Sequence, residues 1–276
     1  MTSQTSLIVF FLLCVSQLHA QQILLSEDFE SETIPSGWTQ STNASDGGWI
    51  MGTNTQLQSG YWPISDHGNI IATNDDACDC DKSVDYLIMP EFDFSDAEVV
   101  ALQFVNYYDG GTLFGGTEDA TIEYSLDGGV NWEILEEIVG TEDGQWDTQF
   151  VDLSSLVGNE SVLVAFHYYD DGEWLFGWAI DDVLVFQPEG LDLAMGSLNT
   201  SENINVQDPT LVSGVVNNNG AEVITSFDLT WMLNGNSFTT NFSGLSIAPL
   251  GSYTFSHPDL LELMSSGTYE LTVTIS

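Results

Sequence analysis

The stretch Val162-Leu-Val-Ala-Phe-His-Tyr-Tyr-Asp-Asp-Gly-Glu-Trp-Leu-Phe-Gly-Trp-Ala-Ile-Asp-Asp-Val-Leu-Val-Phe186 decides the fold. It reads as two strand-length runs, Val162–Tyr168 and Ala179–Phe186, separated by a turn at Asp171-Gly. Both runs mix alternation with β-branched and aromatic residues, and neither shows a helical period. The pattern repeats outward in Ala101–Tyr107, Ala120–Tyr124 and Gln149–Leu153, with turn signals at Asp109-Gly-Gly, Asp127-Gly-Gly and Asp143-Gly. No stretch has an amphipathic helical pattern, and Ser154–Gly158 is expected to make one short turn. Many short strands joined by Gly/Asp turns predict an all-β chain built as a jelly-roll β-sandwich.

Around Gln187-Pro-Glu-Gly190 the pattern breaks, and the residues beyond are poorer in aromatics and richer in Asn, Ser and Thr. Strand-like runs resume at Thr210–Val216, Ser226–Met232, Ser252–Ser256 and Gly267–Ile275, with turns at Asn217-Asn-Asn-Gly220 and Leu233-Asn-Gly-Asn236. They predict a second, smaller immunoglobulin-like β-sandwich. The expected organisation is a signal peptide over 1–20, a jelly roll over 21–188 and the smaller domain over 189–276. Ser276 falls in or just after a strand, so further domains are expected beyond it.

The chain has 276 residues, 42 acidic side chains and one basic one, Lys82, for a net charge of -41. Nucleic-acid binding depends on Lys and Arg displacing phosphate counterions, so that class is excluded. Anionic membrane surfaces are disfavoured for the same reason. A field this negative suits divalent cations and high salt, and it also simply keeps a protein soluble in saline surroundings.

Ser6–Val15 is an apolar run too short to cross a bilayer, and Ser-Gln-Leu-His-Ala20 follows it. This reads as an export signal cut after Ala20, although no Lys or Arg precedes the apolar run. Cys14 does not follow the small residues of a lipoprotein signal. No transmembrane segment is expected; the protein should be secreted and extracellular, and any cell-surface attachment must come from another segment or partner. Export permits disulfides. Cys78 and Cys80 could form a local loop disulfide, remain free thiols or hold a metal with His67.

Six motifs occur in order: Asp28-Phe-Glu, Ile34-Pro-Ser-Gly-Trp38, Asp85-Tyr-Leu-Ile-Met-Pro90, Tyr124-Ser-Leu-Asp-Gly-Gly-Val-Asn-Trp132, Val151-Asp-Leu-Ser-Ser-Leu-Val-Gly158 and Trp178-Ala-Ile-Asp-Asp-Val183. Together, over roughly residues 22 to 187, they resemble the cleaved-adhesin (choice-of-anchor J) family of secreted Bacteroidetes proteins, related to MAM domains. More loosely, Asp192-Leu, Gly214-Val-Val-Asn-Asn-Asn-Gly220, Leu233-Asn-Gly235 and Gly267-Thr-Tyr-Glu-Leu271 resemble a CARDB adhesion module. The first resemblance implies a jelly roll, often with bound calcium, that serves adhesion or binds glycan or protein. Its members are often appended to secreted peptidases or other surface proteins.

In a jelly roll the first and last strands commonly lie close together. Asp28 and Glu30 are expected on one face of the first strand, and Asp181 and Asp182 come from the last strand of the same domain. Converging carboxylates repel unless neutralised, and calcium with hard oxygen ligands would neutralise them. The resemblance implies the same residues through the DFE and IDDV motifs. Asp28, Glu30 and Asp182 are the leading calcium ligands, with Asp181 and Asp85 next. The competing reading is that all of them face water. A second acidic run, Asn74–Asp81, lacks the glycine and terminal glutamate of an EF-hand loop and reads as a solvated loop.

Tyr107-Tyr-Asp-Gly-Gly-Thr-Leu-Phe-Gly115 is echoed by Tyr168-Tyr-Asp-Asp-Gly-Glu-Trp-Leu-Phe-Gly177. Rings beside carboxylates can bind sugars, by covering C–H faces and accepting from hydroxyls. They can equally pack the rims of a sandwich. Tyr108, Phe114, Tyr169 and Trp174 are the candidate ligand-binding residues. No G-x-S-x-G elbow, H-E-x-x-H motif or closely spaced acidic triad on a strand suggests an enzyme. His167 sits mid-strand, a structural position. Two readings follow: an extracellular adhesion or ligand-binding module with calcium as cofactor and a glycan or protein partner, or a non-catalytic accessory region of a larger secreted peptidase or glycoside hydrolase.

Overall fold

A computed structural model describes residues 4–11, 21–31, 33–113, 115–141, 144–201 and 203–276. The expected signal cleavage point at Ala20 lies outside the described residues. The chain is all-β and forms two compact units, one spanning Ile23–Gln187 and one built from Pro188–Ser276 with the N-terminal strand.

The strands of the early chain are β1 (Gln4–Phe11), β2 (Gln22–Glu27), β3 (Thr39–Ser41), β4 (Ile50–Thr53), β5 (Asn69–Asn74), β6 (Asp85–Ile88) and β7 (Ala101–Tyr108). They continue as β8 (Gly111–Leu113), β9 (Gly116–Ser125), β10 (Glu133–Glu137), β11 (Trp146–Asp152), β12 (Leu163–Tyr169) and β13 (Gly177–Gln187). Short helices α1 (Asn54–Leu57) and α2 (Asp75–Cys78) interrupt them. The first unit is a jelly-roll-like sandwich. One sheet runs β10-β9-β12-β6-β3 with β8 on β9; the other runs β11-β7-β13-β5-β4 with β2 on β13.

The strands expected from the opening stretch are β12 and β13, and they lie in opposite sheets. Their inward positions meet in the core. Phe104 of β7, Phe166 of β12 and Trp178 of β13 pack edge to face at 5.0, 5.5 and 6.2 Å between centroids, and Trp49 packs edge-on to Trp178 at 5.7 Å. Each such ring, fully buried, contributes roughly 1.5–3 kcal/mol. Gly177 opens β13 where a Cβ would stand 2.4 Å from the Thr73 carbonyl oxygen of the paired β5, so glycine is required by close backbone approach.

The Asn74–Asp81 run is more ordered than a solvated loop. Asn74 caps α2 by accepting from the Ala77 N–H, and Asp79 closes it in a left-handed conformation. Asp75 is buried, and Cys78 and Cys80 are joined in a disulfide.

In the second unit the strands are β14 (Leu193–Leu198), β15 (Asn203–Asn205), β16 (Ser213–Asn218), β17 (Ile224–Leu233), β18 (Asn236–Ile247), β19 (Ser252–Ser256) and β20 (Tyr269–Ile275). They form sheets β15-β1-β20-β17-β18 and β14-β16-β19 around Phe227, Trp231 and Phe255. The expected strand from Thr210 begins at Ser213; Thr210 makes only an isolated bridge to Leu261.

Candidate functional site

The segment that carries Asp28 and Glu30 does not continue as a strand. β2 ends at Glu27, and Phe29 turns the chain with φ 46° while its side chain is wholly buried against Trp38, 5.3 Å away. A bulky residue at positive φ is strained, and the packed ring holds it there. Asp28 and Glu30 therefore sit in a turn, not on one strand face. Asp28 accepts the Glu30 N–H at 3.3 Å, and Glu27 accepts the Phe29 N–H at 3.0 Å.

Glu30 reaches across to the start of β5. Its two carboxylate oxygens accept from the Asn69 backbone N–H at 3.2 Å and from the Asn69 side chain at 3.1 Å. Two residues earlier, His67 Nδ1 lies 2.8 Å from Asp181 Oδ2. The His67 ring is backed by Trp146 at 4.6 Å, whose indole N–H donates to Ser65 O at 2.8 Å. Asp181 stands where β13 bulges against β7, and Asp182 has φ 49°, a second strained residue on the opposite half of the site. His67, Asp181 and Asp182 bring a nitrogen and two carboxylate oxygens within 4.8 Å of one another. Burial pushes the Asp181 carboxyl up to about 6, against the lowering effect of His67 and of the Asp182 N–H.

Of the expected ligands, Asp181 and Asp182 come together with His67, whereas Glu30 is held on Asn69, two residues along from His67, and stays outside that group. Asp28 is exposed beside them and outside the tight group. Asp85 is a correction. It lies on β6 in the other sheet, paired opposite Tyr168, wholly buried. There it accepts from Thr42 and Thr73 and pairs with Lys82 Nζ at 3.4 Å. Its charge is compensated inside the protein. Sequence reasoning considered His67 only beside the cysteines and missed its place here, because its partner Asp181 lies far along the chain.

The carboxylate oxygens of Asp181 and Asp182 fit a hard cation; the imidazole of His67 is the hydrogen-bond partner of Asp181. The other grouping, Asp46 with Cys78 and Cys80, offers no thiolate ligands, because the two sulfurs are bonded to each other.

The aromatic candidates separate by position. Tyr108 is only 3% exposed, and its hydroxyl donates to Glu118 O, so it is a core residue whose ring is not offered to a ligand. Phe114 lies outside the described residues. Tyr169 is half-buried on the outer face of β12 and borders a groove. Trp174 is 40% exposed and meets Tyr61, 71% exposed, edge to face at 5.5 Å. Asp76 holds both: its carboxylate accepts the Tyr61 N–H at 3.0 Å and its carbonyl the Trp174 indole N–H at 3.3 Å.

No family profile matches the chain, and no curated protein matches it. Among solved structures, the K3 cleaved adhesin domain of Lys-gingipain from Porphyromonas gingivalis W83 is 19% identical, with a TM-score of 0.43 over 60% of this chain and 99% of that one. The K1 cleaved adhesin domain of the same protein is 21% identical, with a TM-score of 0.41 over 59% of this chain and 97% of that one. The CBM22-1 xylan-binding domain of Paenibacillus barcinonensis Xyn10C is 16% identical, with a TM-score of 0.38 over 62% and 97%.

Proposed function

We propose that the chain is a secreted or cell-surface adhesion and ligand-binding module, stabilised by calcium and binding glycan or protein. The observation that carries the calcium part is the meeting of Asp181 and Asp182 with His67 from a distant segment, with Glu30 held on the nearby Asn69, in a protein whose one lysine is engaged elsewhere. Two residues at positive φ, Phe29 and Asp182, flank the meeting point, and strain of this kind persists where a site needs a fixed geometry. The exposed rings of Trp174 and Tyr61, packed edge to face with the Trp174 indole N–H bonded to Asp76 O, support the ligand-binding part.

Titration of metal-free protein with Ca²⁺ by calorimetry tests the cation reading. Saturable binding is expected, with loss of the heat signal in Asp182→Ala. Equal binding in that variant contradicts the assignment. His67 favours a second reading, because imidazole with two carboxylates suits a transition metal such as Zn²⁺. Preference for Zn²⁺ over Ca²⁺, lost in His67→Ala, selects that reading.

A further inference from the structure

The outer face of the sheet β10-β9-β12-β6-β3 carries a groove of about 480 Å³. Strand register builds it. His167 pairs opposite Thr121, Tyr169 opposite Asp119, and Glu137 opposite Thr121, so these side chains and Glu123 project on the side away from the core residues Ile122 and Phe166.

The floor is satisfied internally. Glu123 contacts His167 Nδ1 at 2.7 Å, accepts from Thr121 at 3.0 Å and accepts from Tyr86 at 3.1 Å. The other His167 nitrogen lies 3.3 Å from Ser83 O, and the imidazole stacks on Tyr86 at 3.9 Å. The rim is the opposite. The exposed carboxylates of Asp119 and Glu137 make no hydrogen bond among the described residues. The Tyr169 ring is steadied by its hydroxyl donating to Asp171 at 2.9 Å, and Ile134 and Val139 expose apolar surface nearby.

We infer that this groove binds a neutral oligosaccharide, whose hydroxyls donate to Asp119 and Glu137 while a C–H face covers Tyr169. The inference rests on the ligand-binding reading above and gives it a place and a ligand class. A rim of free acceptors needs a donor-rich ligand with apolar faces. Uronic, sulfated or phosphorylated chains would be repelled. The rim charges stand in water, where attraction for a cationic peptide is weak and screened. Directional acceptance from hydroxyls does not depend on net charge.

The test is calorimetry on the full chain with neutral β-1,4-linked hexaoses of xylose, glucose, mannose and galactose, and with oligolysine, at low salt and at about 0.5 M NaCl. One or more hexaoses should bind with submillimolar Kd, little changed by salt. Tyr169→Ala should weaken that binding roughly tenfold, and Tyr169→Phe should retain it. Asp119→Asn with Glu137→Gln should weaken it as well. Saccharide binding lost in Trp174→Ala but kept in Tyr169→Ala overturns the groove while leaving a ligand-binding module. Salt-sensitive binding of oligolysine alone overturns the neutral-saccharide assignment. Binding of no hexaose by the unmodified chain overturns the inference, and the Ca²⁺ titration is then read independently.

Discussion

Lys82 carries the chain's one basic side chain, and the fold buries it completely. Its ammonium meets Asp46 at 2.9 Å and Asp85 at 3.4 Å, while its backbone N–H donates to Asp170 at 2.8 Å. Removing one partner of a buried ion pair leaves the other charged and desolvated. Lys82→Met should therefore destabilise the first unit by about 3–5 kcal/mol, read from urea unfolding. Lys82→Met with Asp85→Asn should recover part of the loss, because the uncompensated buried charge goes with it; no recovery would contradict the pairing. This role was within reach of the sequence, since Lys82 and Asp85 are three residues apart. The sequence reading instead grouped Asp85 with the calcium ligands, and sequence spacing does not say which of two sheets a carboxylate enters. His67 gave no such local clue: its partner, Asp181, is 114 residues away.

At the scale of elements, β13 organises the first unit. It pairs with β2, β5 and β7, opens at Gly177 and bulges at the candidate cation site. Gly177→Ala should cost about 3 kcal/mol, since the added Cβ meets the Thr73 carbonyl and the Trp62 ring. A urea midpoint equal to that of the unmodified protein would contradict the close approach. The loop between β12 and β13 is latched by buried acids. Leu175 N–H donates to Asp75 at 2.6 Å, and Phe176 N–H and the Tyr168 hydroxyl donate to Glu118 at 3.2 and 2.7 Å. Burial pushes Asp75 up to about 6 and Glu118 up to about 7. The folded state thus holds these protons more tightly than the unfolded chain. Their contribution is full below about pH 4 and is lost as pH rises through 6 to 7, so stability should fall across that window. Asp75→Asn should flatten the fall measured by urea midpoints; an unchanged slope would remove Asp75 from the account.

Strands with strong apolar alternation were legible, and β7, β9, β11, β12 and β13 lie where the pattern places them. The three-residue edge strands and the long polar β18 were not. β18 is rich in Asn, Ser and Thr and exposes most of its residues, so its strand state comes from pairing with β17 and not from its own periodicity. The turn at Phe29 was equally hidden, because alternation suggested a continuing strand and only the buried ring fixes the break.

Over the whole molecule, 42 acids face a single buried lysine, so the excess charge has no internal partner of opposite sign beyond that one group and the histidines. Self-repulsion on this scale makes stability sensitive to salt and to bound cations. The N-terminal run adds a condition. β1 pairs in parallel with β20, and removal of Met1–Ala20 on export would leave the β20 edge without that neighbour. Mass spectrometry of the exported protein should find Gln21 at its start; an intact N-terminus would contradict the export reading. The most direct measurement is thermal unfolding of the chain in EGTA and in excess Ca²⁺ at equal, high ionic strength. A ligand that binds only the folded state raises Tm by mass action. A calcium site at Asp182 predicts an upward shift with Ca²⁺ that disappears in Asp182→Ala. Identical Tm values in EGTA and Ca²⁺, or a shift that survives Asp182→Ala, would contradict it.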